Sequence, residues 1–167
     1  MQFEEVTTGA KLYEDRDYFI SSSMMEGILS AEGYLRKGVE IEVLEKARIY
    51  SLYGVWTPTK QEFLKPFVKA LLEMNIGRRS EMGERINAID LGCGTGILSL
   101  ILAKVGCSNI WALDKSGVAI EATELNAEVF GELERIKTVR ADLVELFLEM
   151  KSTSALEKRS LFLKDNL

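Results

Sequence analysis

The stretch Asp90-Leu-Gly-Cys-Gly-Thr-Gly96 constrains this chain more than any other. It lies between an apolar lead, Ile86-Asn-Ala-Ile89, and a second apolar run containing Ile97, Ile101, Leu102, Ala103 and Val105. That order predicts a buried strand, a glycine turn and a buried helix. Three glycines at alternate positions permit a sharp turn and leave no side chain between the backbone and a ligand. A helix starting there aims its unpaired N–H groups at an anionic group seated in the turn. A turn that only redirects the chain from strand to helix would use the same residues.

The segments that follow favour a ligand. Asn109-Ile-Trp-Ala-Leu-Asp114 predicts a second strand ending in an acid. An acid placed there accepts hydrogen bonds from both hydroxyls of a ribose. Ile136-Lys-Thr-Val-Arg-Ala-Asp142 predicts a third strand, again with an acid at its end. One such acid is as readily a helix cap or a solvated residue; three in succession form a pattern. Between the second and third strands, Val118 to Phe130 reads as an amphipathic helix, with Ala119, Ala122, Leu125 or Asn126, and Val129 on one side. Starting near Ser116-Gly117, it returns the chain to a parallel third strand. The expected fold class is α/β: a Rossmann-like parallel sheet with flanking helices, after an N-terminal helical segment.

The glycine spacing decides between ligands. A dinucleotide fingerprint is spaced G-x-G-x-x-G, whereas this turn is Gly92-x-Gly94-x-Gly96 with Asp90 two places before it. It resembles the first motif of class I S-adenosylmethionine (SAM)-dependent methyltransferases. That resemblance implies that Gly92, Gly94 and Gly96 pack against the methionine and ribose parts of SAM and that Asp90 helps hold its amino group. It also implies that Asp114 takes the ribose hydroxyls, Asp142 the adenine amino group, and the backbone N–H of Leu143 a ring nitrogen.

Tyr53-Gly-Val-Trp-Thr-Pro58 extends the likeness. It resembles the segment that precedes the glycine turn in amino-methylating enzymes, where a Thr-Pro or similar turn touches the methionine end. Thr57 and Pro58 are implied to lie there; an ordinary helix start capped by Thr57 or Thr59 explains them equally. Thr59-Lys-Gln-Glu62 has capping-box spacing. The helix after it carries Phe63, Phe67, Leu71 and Leu64, Val68, Leu72 on adjoining rows, with a kink expected at Pro66. Gly77 to Arg85 reads as a charged, solvated connector.

Earlier residues say less. Residues 1–14 read as an arm. Asp17 to Arg36 reads as a helix with a capping box at Ser23 and Glu26, and with Met24-Met25 as core filling. Val39 to Tyr50 fits either strand or helix. The division that results is 1–52, a mainly helical extension, and 53–167, a SAM-binding Rossmann-like domain whose C-terminal half is missing.

Composition limits the chemistry. With 167 residues, one core is expected, and a net charge of −5 argues against a broad phosphate-binding surface. The first residues lack the regions of a secretory signal, and no apolar run reaches the ~20 residues of a membrane span, so a cytoplasmic chain without membrane contact is expected. Cys93 and Cys107 are separated by a helix too long for a disulfide. With no histidine, neither a zinc site nor Ser-His or Cys-His chemistry is expected.

The likeness runs from about Tyr53 to Leu143. In the amino-methylating enzymes it resembles, the fourth strand ends in an Asn/Asp-Pro-Pro-aromatic motif that holds the acceptor. This sequence has only Pro58 and Pro66, so no catalytic residue is named. The implied function is methyl transfer from SAM to an amino nitrogen of nucleic acid or protein. The alternatives are a non-catalytic SAM-binding half-domain that pairs with another chain, and, less well matched, an NAD-linked oxidoreductase. The first strand is expected to be an open sheet edge, favouring self-association or a partner chain.

Overall fold

The computed structural model describes residues 21–142. The predicted arm, the start of the first helix at Asp17, Leu143, the helix from Leu143 to Met150 and the short strand Leu161-Phe-Leu163 lie outside the described residues.

Three strands, β3 (Asn87–Leu91), β4 (Asn109–Asp114) and β5 (Ile136–Arg140), form a parallel sheet in the order β3-β4-β5. Asp90 stands opposite Ala112, and Asp114 opposite Arg140. Helices α4 (Ile97–Lys104) and α5 (Gly117–Val129) make the crossovers. The α/β, Rossmann-like reading holds, with the second strand at its expected limits.

Both helices cover the same face of the sheet, as successive right-handed crossovers in one direction require. That face carries Ala88, Asp90, Ile110, Ala112, Ile136 and Thr138. Asp90 is bonded to Ser99 on α4, and Thr138 to Glu124 on α5. The opposite face presents Ile89 and Leu91, which are 65% and 59% exposed, beside half-buried Trp111 and Val139. Among the described residues β3 is an edge strand.

The N-terminal region is not simply helical. After α1 (Ser22–Lys37), β1 (Val39–Ile41) and β2 (Ala47–Ile49) form an antiparallel pair joined through the 3₁₀ turn Glu42–Leu44. This settles the stretch that the sequence left open. Ile41, Leu44 and Ile49 are buried in the same cluster as Leu64, Leu71, Ile76 and Ile101. With residues of α2 (Leu64–Glu73), α3 (Ile76–Glu81) and the hairpin in the same buried cluster and the sheet on one side, α4 buries nearly every residue. A helix apolar all round has its place at such a centre.

Several local expectations are corrected. No residue of α1 is buried, so Met24 and Met25 are surface residues instead of core filling. Its cap is Ser21, which accepts from the Met24 N–H. The box at Thr59 is not used, since α2 begins at Leu64 without a side-chain cap. Gln61 instead clasps the hairpin, accepting from Glu42 N and donating to Glu40 O. Pro66 falls in the first turn of α2, where its missing N–H has no intrahelical partner to lose, so the reason for a kink disappears. The expected loop after Gly77 is partly α3, which abuts the end of α4: a Cβ on Gly106 would lie 3.0 Å from Ser80. Val129 is exposed, whereas Thr123 and Asn126 are buried on the inner side of α5.

Candidate functional site

The turn from Leu91 to Gly96 runs between the end of β3 and the start of α4. Gly92, Gly94 and Gly96 all have positive φ, at 79°, 55° and 76°, a region that costs other residues about 1–2 kcal/mol. Their surroundings differ. A Cβ on Gly92 would meet nothing within 4 Å, and one on Gly94 only the Gly92 carbonyl at 4.0 Å. A Cβ on Gly96 would lie 2.9 Å from the Thr123 methyl and 3.2 Å from Thr123 Cα. The first two glycines therefore leave open space, while the third brings α5 against the turn.

The acids hold this turn in place. Asp90 is 5% exposed, and its Oδ2 accepts from Ser99 N at 3.0 Å and Ser99 Oγ at 2.7 Å. It thus satisfies an N–H of the first turn of α4 from a neighbouring strand. Burial pushes its carboxyl above the ordinary value, the two Ser99 bonds oppose that, and the nearby Asp114 charge adds to it. Asp114 Oδ2 accepts from Gly94 N at 3.1 Å, and its Oδ1 from Ser116 N at 2.9 Å. The second acid therefore stands at the rim of the turn and orients both the turn and the start of α5.

Asp142 is carried to the same end of the sheet, because Ala141 N donates to Asp114 O at 3.0 Å. With Lys115, Ser116, Arg140 and Ala141, Asp142 lines a groove of about 620 Å³. A larger groove, about 1020 Å³, includes Asn87, Asn109 and Lys137 at the strand starts. Open α/β sheets bind ligands beyond the carboxyl ends of their strands, so the smaller groove marks the relevant end.

Thr57 Oγ1 donates to Ser51 Oγ at 2.8 Å, so its proton is used within its own loop, and Pro58 is fully buried. This loop follows Tyr50, whose backbone is bonded on both edges by Asn126: Nδ2 donates to Tyr50 O and Tyr50 N donates to Oδ1, each at 2.7 Å. Asn126 Nδ2 also lies 2.9 Å from Thr95 O in the glycine turn. Asp90, the three glycines and Asp114 thus form one unit, Asp142 shares their rim, and Thr57 is joined to them through Ser51, Tyr50 and Asn126.

Sequence reasoning overlooked the residues that hold the turn from beneath. Thr123 Oγ1 lies 3.1 Å from Gly94 O and 3.2 Å from Cys93 Sγ. With Ser99 and Asn126 it completes that support. The signal was a pair of polar residues three apart, Thr123 and Asn126, on a helix face otherwise marked by alanines. Cys93 and Cys107 are both free and buried. Burial raises the Cys93 thiol to about 11, opposed by the Thr123 hydroxyl and reinforced by the charges of Asp90 and Asp114.

Two features fit a polar ligand at the turn. Space stands open where side chains on Gly92 and Gly94 would be. Thr95 Oγ1 is the one buried side-chain polar atom without a partner among the described residues. Such an atom calls for a partner from beyond the described residues, and a ligand or an ordered water would serve. Among the described residues no three acidic or cysteine side chains gather as a metal site, and no helix is long and apolar enough to cross a membrane.

Comparison with known proteins points the same way. A family model described as Ribosomal protein L11 methyltransferase (PrmA) matches residues 70–152. A ribosomal protein L11 methyltransferase from Ruminiclostridium cellulolyticum is 37% identical over 68 residues, covering 41% of this chain and 22% of the relative. One from Campylobacter jejuni is 27% identical over 107 residues, covering 58% and 37%. A protein arginine N-methyltransferase 1 from Chlamydomonas reinhardtii is 35% identical over 77 residues, covering 46% and 21%. These matches bear out the resemblance to class I methyltransferases. The chain spans between about a fifth and just over a third of these relatives' lengths.

Proposed function

We propose that this chain forms the cofactor-binding part of a SAM-dependent methyltransferase whose acceptor is an amino nitrogen of a protein. The observation that carries the reading is the Asp114–Gly94 hydrogen bond, which joins a strand-end acid to an open glycine cradle. The protein acceptor rests on relatives named for ribosomal protein L11 and for protein arginine. The wider class, nucleic acid or protein, remains the coarser form of the same proposal.

In this reading Gly92 and Gly94 admit the backbone close to the ligand, Asp90 faces the ammonium end, and Asp114 takes the ribose hydroxyls. Asp142 and the N–H of Leu143 meet the adenine, while Thr57, with Pro58 packed beneath, borders the methionine end. When bound, SAM supplies an electrophilic methyl group, so the chain's own task is orientation and exclusion of water. The unit proposed to do this is residues 53–167, walled on one side by the hairpin of the extension, residues 1–52. A cytoplasmic setting and a partner or second copy at the β3 edge belong to the same proposal.

Parallel calorimetric titrations with SAM and NAD test the reading, with Asp114→Ala as control. The expected result is saturable heat with SAM, none with NAD, and at least about a tenfold weaker SAM affinity in the variant, the value of one charge-assisted hydrogen bond. Tight NAD binding with no response to SAM overturns it. Methyl transfer to peptide lysine or arginine separates an enzyme from a chain that binds without turnover.

A further inference from the structure

Asn126 is the least exposed polar residue that touches two walls of the proposed cleft, at 0% exposure. Its side chain does what a neighbouring strand would do. β2 ends at Ile49, and at the next residue the carboxamide both donates to Tyr50 O and accepts from Tyr50 N. A two-point contact of this kind fixes rotation as well as distance. The same Nδ2 faces Thr95 O and, within its own helix, Ala122 O, each at 2.9 Å. Two hydrogens shared among three carbonyls leave it no donor for anything else.

We infer that Asn126 is a positioning residue, the spacer that sets how far the Tyr50–Thr57 wall stands from the glycine turn. The inference rests on the cofactor reading above and deepens it. Asn126 is buried away from the cleft, so it acts through the segments it joins. One segment leads through Ser51 to Thr57, by the Thr57 Oγ1–Ser51 Oγ bond of 2.8 Å. The other is the turn itself. In the cofactor reading the Thr57 wall borders only the methionine end, whereas Asp114 has no bond to Asn126 and is held by Gly94 N and Ser116 N. Loosening Asn126 therefore affects the two ends of one ligand unequally. Aspartate has the same shape and keeps the acceptor for Tyr50 N but loses the donors. Leucine fills the volume and loses both. Only the carboxamide bridges both walls.

The experiment compares binding of S-adenosylhomocysteine with that of adenosine, which lacks the amino-acid end, in wild type and in Asn126→Asp. The expected result is about a tenfold or greater loss for S-adenosylhomocysteine and less than about threefold for adenosine, as when hydrogen bonds on one side are lost. Equal losses for both ligands mark a merely structural role and overturn the inference, as does no loss at all. A wild-type chain that binds neither ligand overturns the cofactor reading, and this inference with it; binding in wild type followed by equal losses overturns the inference alone. If Asn126→Asp does not fold, Ser51→Ala cuts the same route beyond Tyr50. It is expected to weaken S-adenosylhomocysteine about threefold and to leave adenosine unchanged; equal losses, or none, overturn the proposal.

Discussion

The two faces of the parallel sheet are built from the same strands and differ in almost every respect. On one, Ala88, Asp90, Ile110 and Ala112 lie under α4 and α5, and the buried acid is bonded twice to Ser99. On the other, Ile89 and Leu91 are exposed beside half-buried Trp111 and Val139. Parallel sheets are as a rule covered on both faces. Among the described residues, the closed face is therefore where a substitution is expected to change the fold, and the open face is where it is expected to change surface contacts.

The largest effect is expected where the glycine turn at the end of β3 meets α5. Gly96→Ala places a methyl group 2.9 Å from the Thr123 methyl, at a backbone angle that alanine tolerates poorly. Strain and overpacking together are expected to cost about 2–4 kcal/mol in a denaturant titration. Gly92→Ala carries the strain without the clash and should lose only about 1–2 kcal/mol. Equal losses for the pair would break the distinction between a packing glycine and an open one.

Asp90→Asn separates stability from binding. A carboxyl held above its ordinary value of 3.8 binds its proton more tightly in the folded chain than in the unfolded one. Its contribution to stability is full below that value and is lost as pH rises through the folded value. At neutral pH the ionised group is thus a cost. Asparagine keeps an acceptor for Ser99 without the charge, so its melting temperature should match or exceed that of wild type. SAM affinity should nonetheless fall about tenfold if the carboxylate meets the ammonium group. A lower melting temperature at neutral pH with unchanged binding would assign Asp90 a structural role only.

Cys93 tests how closed that face is. With its thiol raised to about 11, only roughly a thousandth is thiolate at pH 8. Alkylation at that pH should run well over tenfold slower in the folded chain than in urea. A rate equal to that in urea would show that the turn opens readily.

The smallest change in stability is expected on the open face. Ile89→Lys should alter stability by no more than about 0.5 kcal/mol, as for other surface substitutions, while reducing self-association in light scattering. A large loss of stability with no change in association would mean that this face is covered within the folded chain.

The parts of this arrangement legible in the sequence were those set by local pattern. Asn109 to Asp114 is a short apolar run that ends in an acid, and the strand has those limits. Gly92, Gly94 and Gly96 were legible because glycine alone adopts their backbone angles without cost. What was not legible depended on distant partners. Met24 is spaced from Ile28 as on one face of a helix, but spacing does not say whether anything packs on it or on Met25. Gln61 looked like part of a helix cap because the hairpin it clasps, at Glu40 and Glu42, is about twenty residues away. Asn126 appeared among candidates for an apolar stripe, since only the fold brings Tyr50 and Thr95 to it.

The proposed ligand lies across the carboxyl ends of β3, β4 and β5. Backbone amide NMR during titration with S-adenosylhomocysteine tests this most directly. Shifts concentrated at Gly92, Gly94, Ser116 and Ala141 are the predicted result. Shifts concentrated at Asn87, Asn109 and Lys137, the strand starts, or no saturable shift at all, would contradict it.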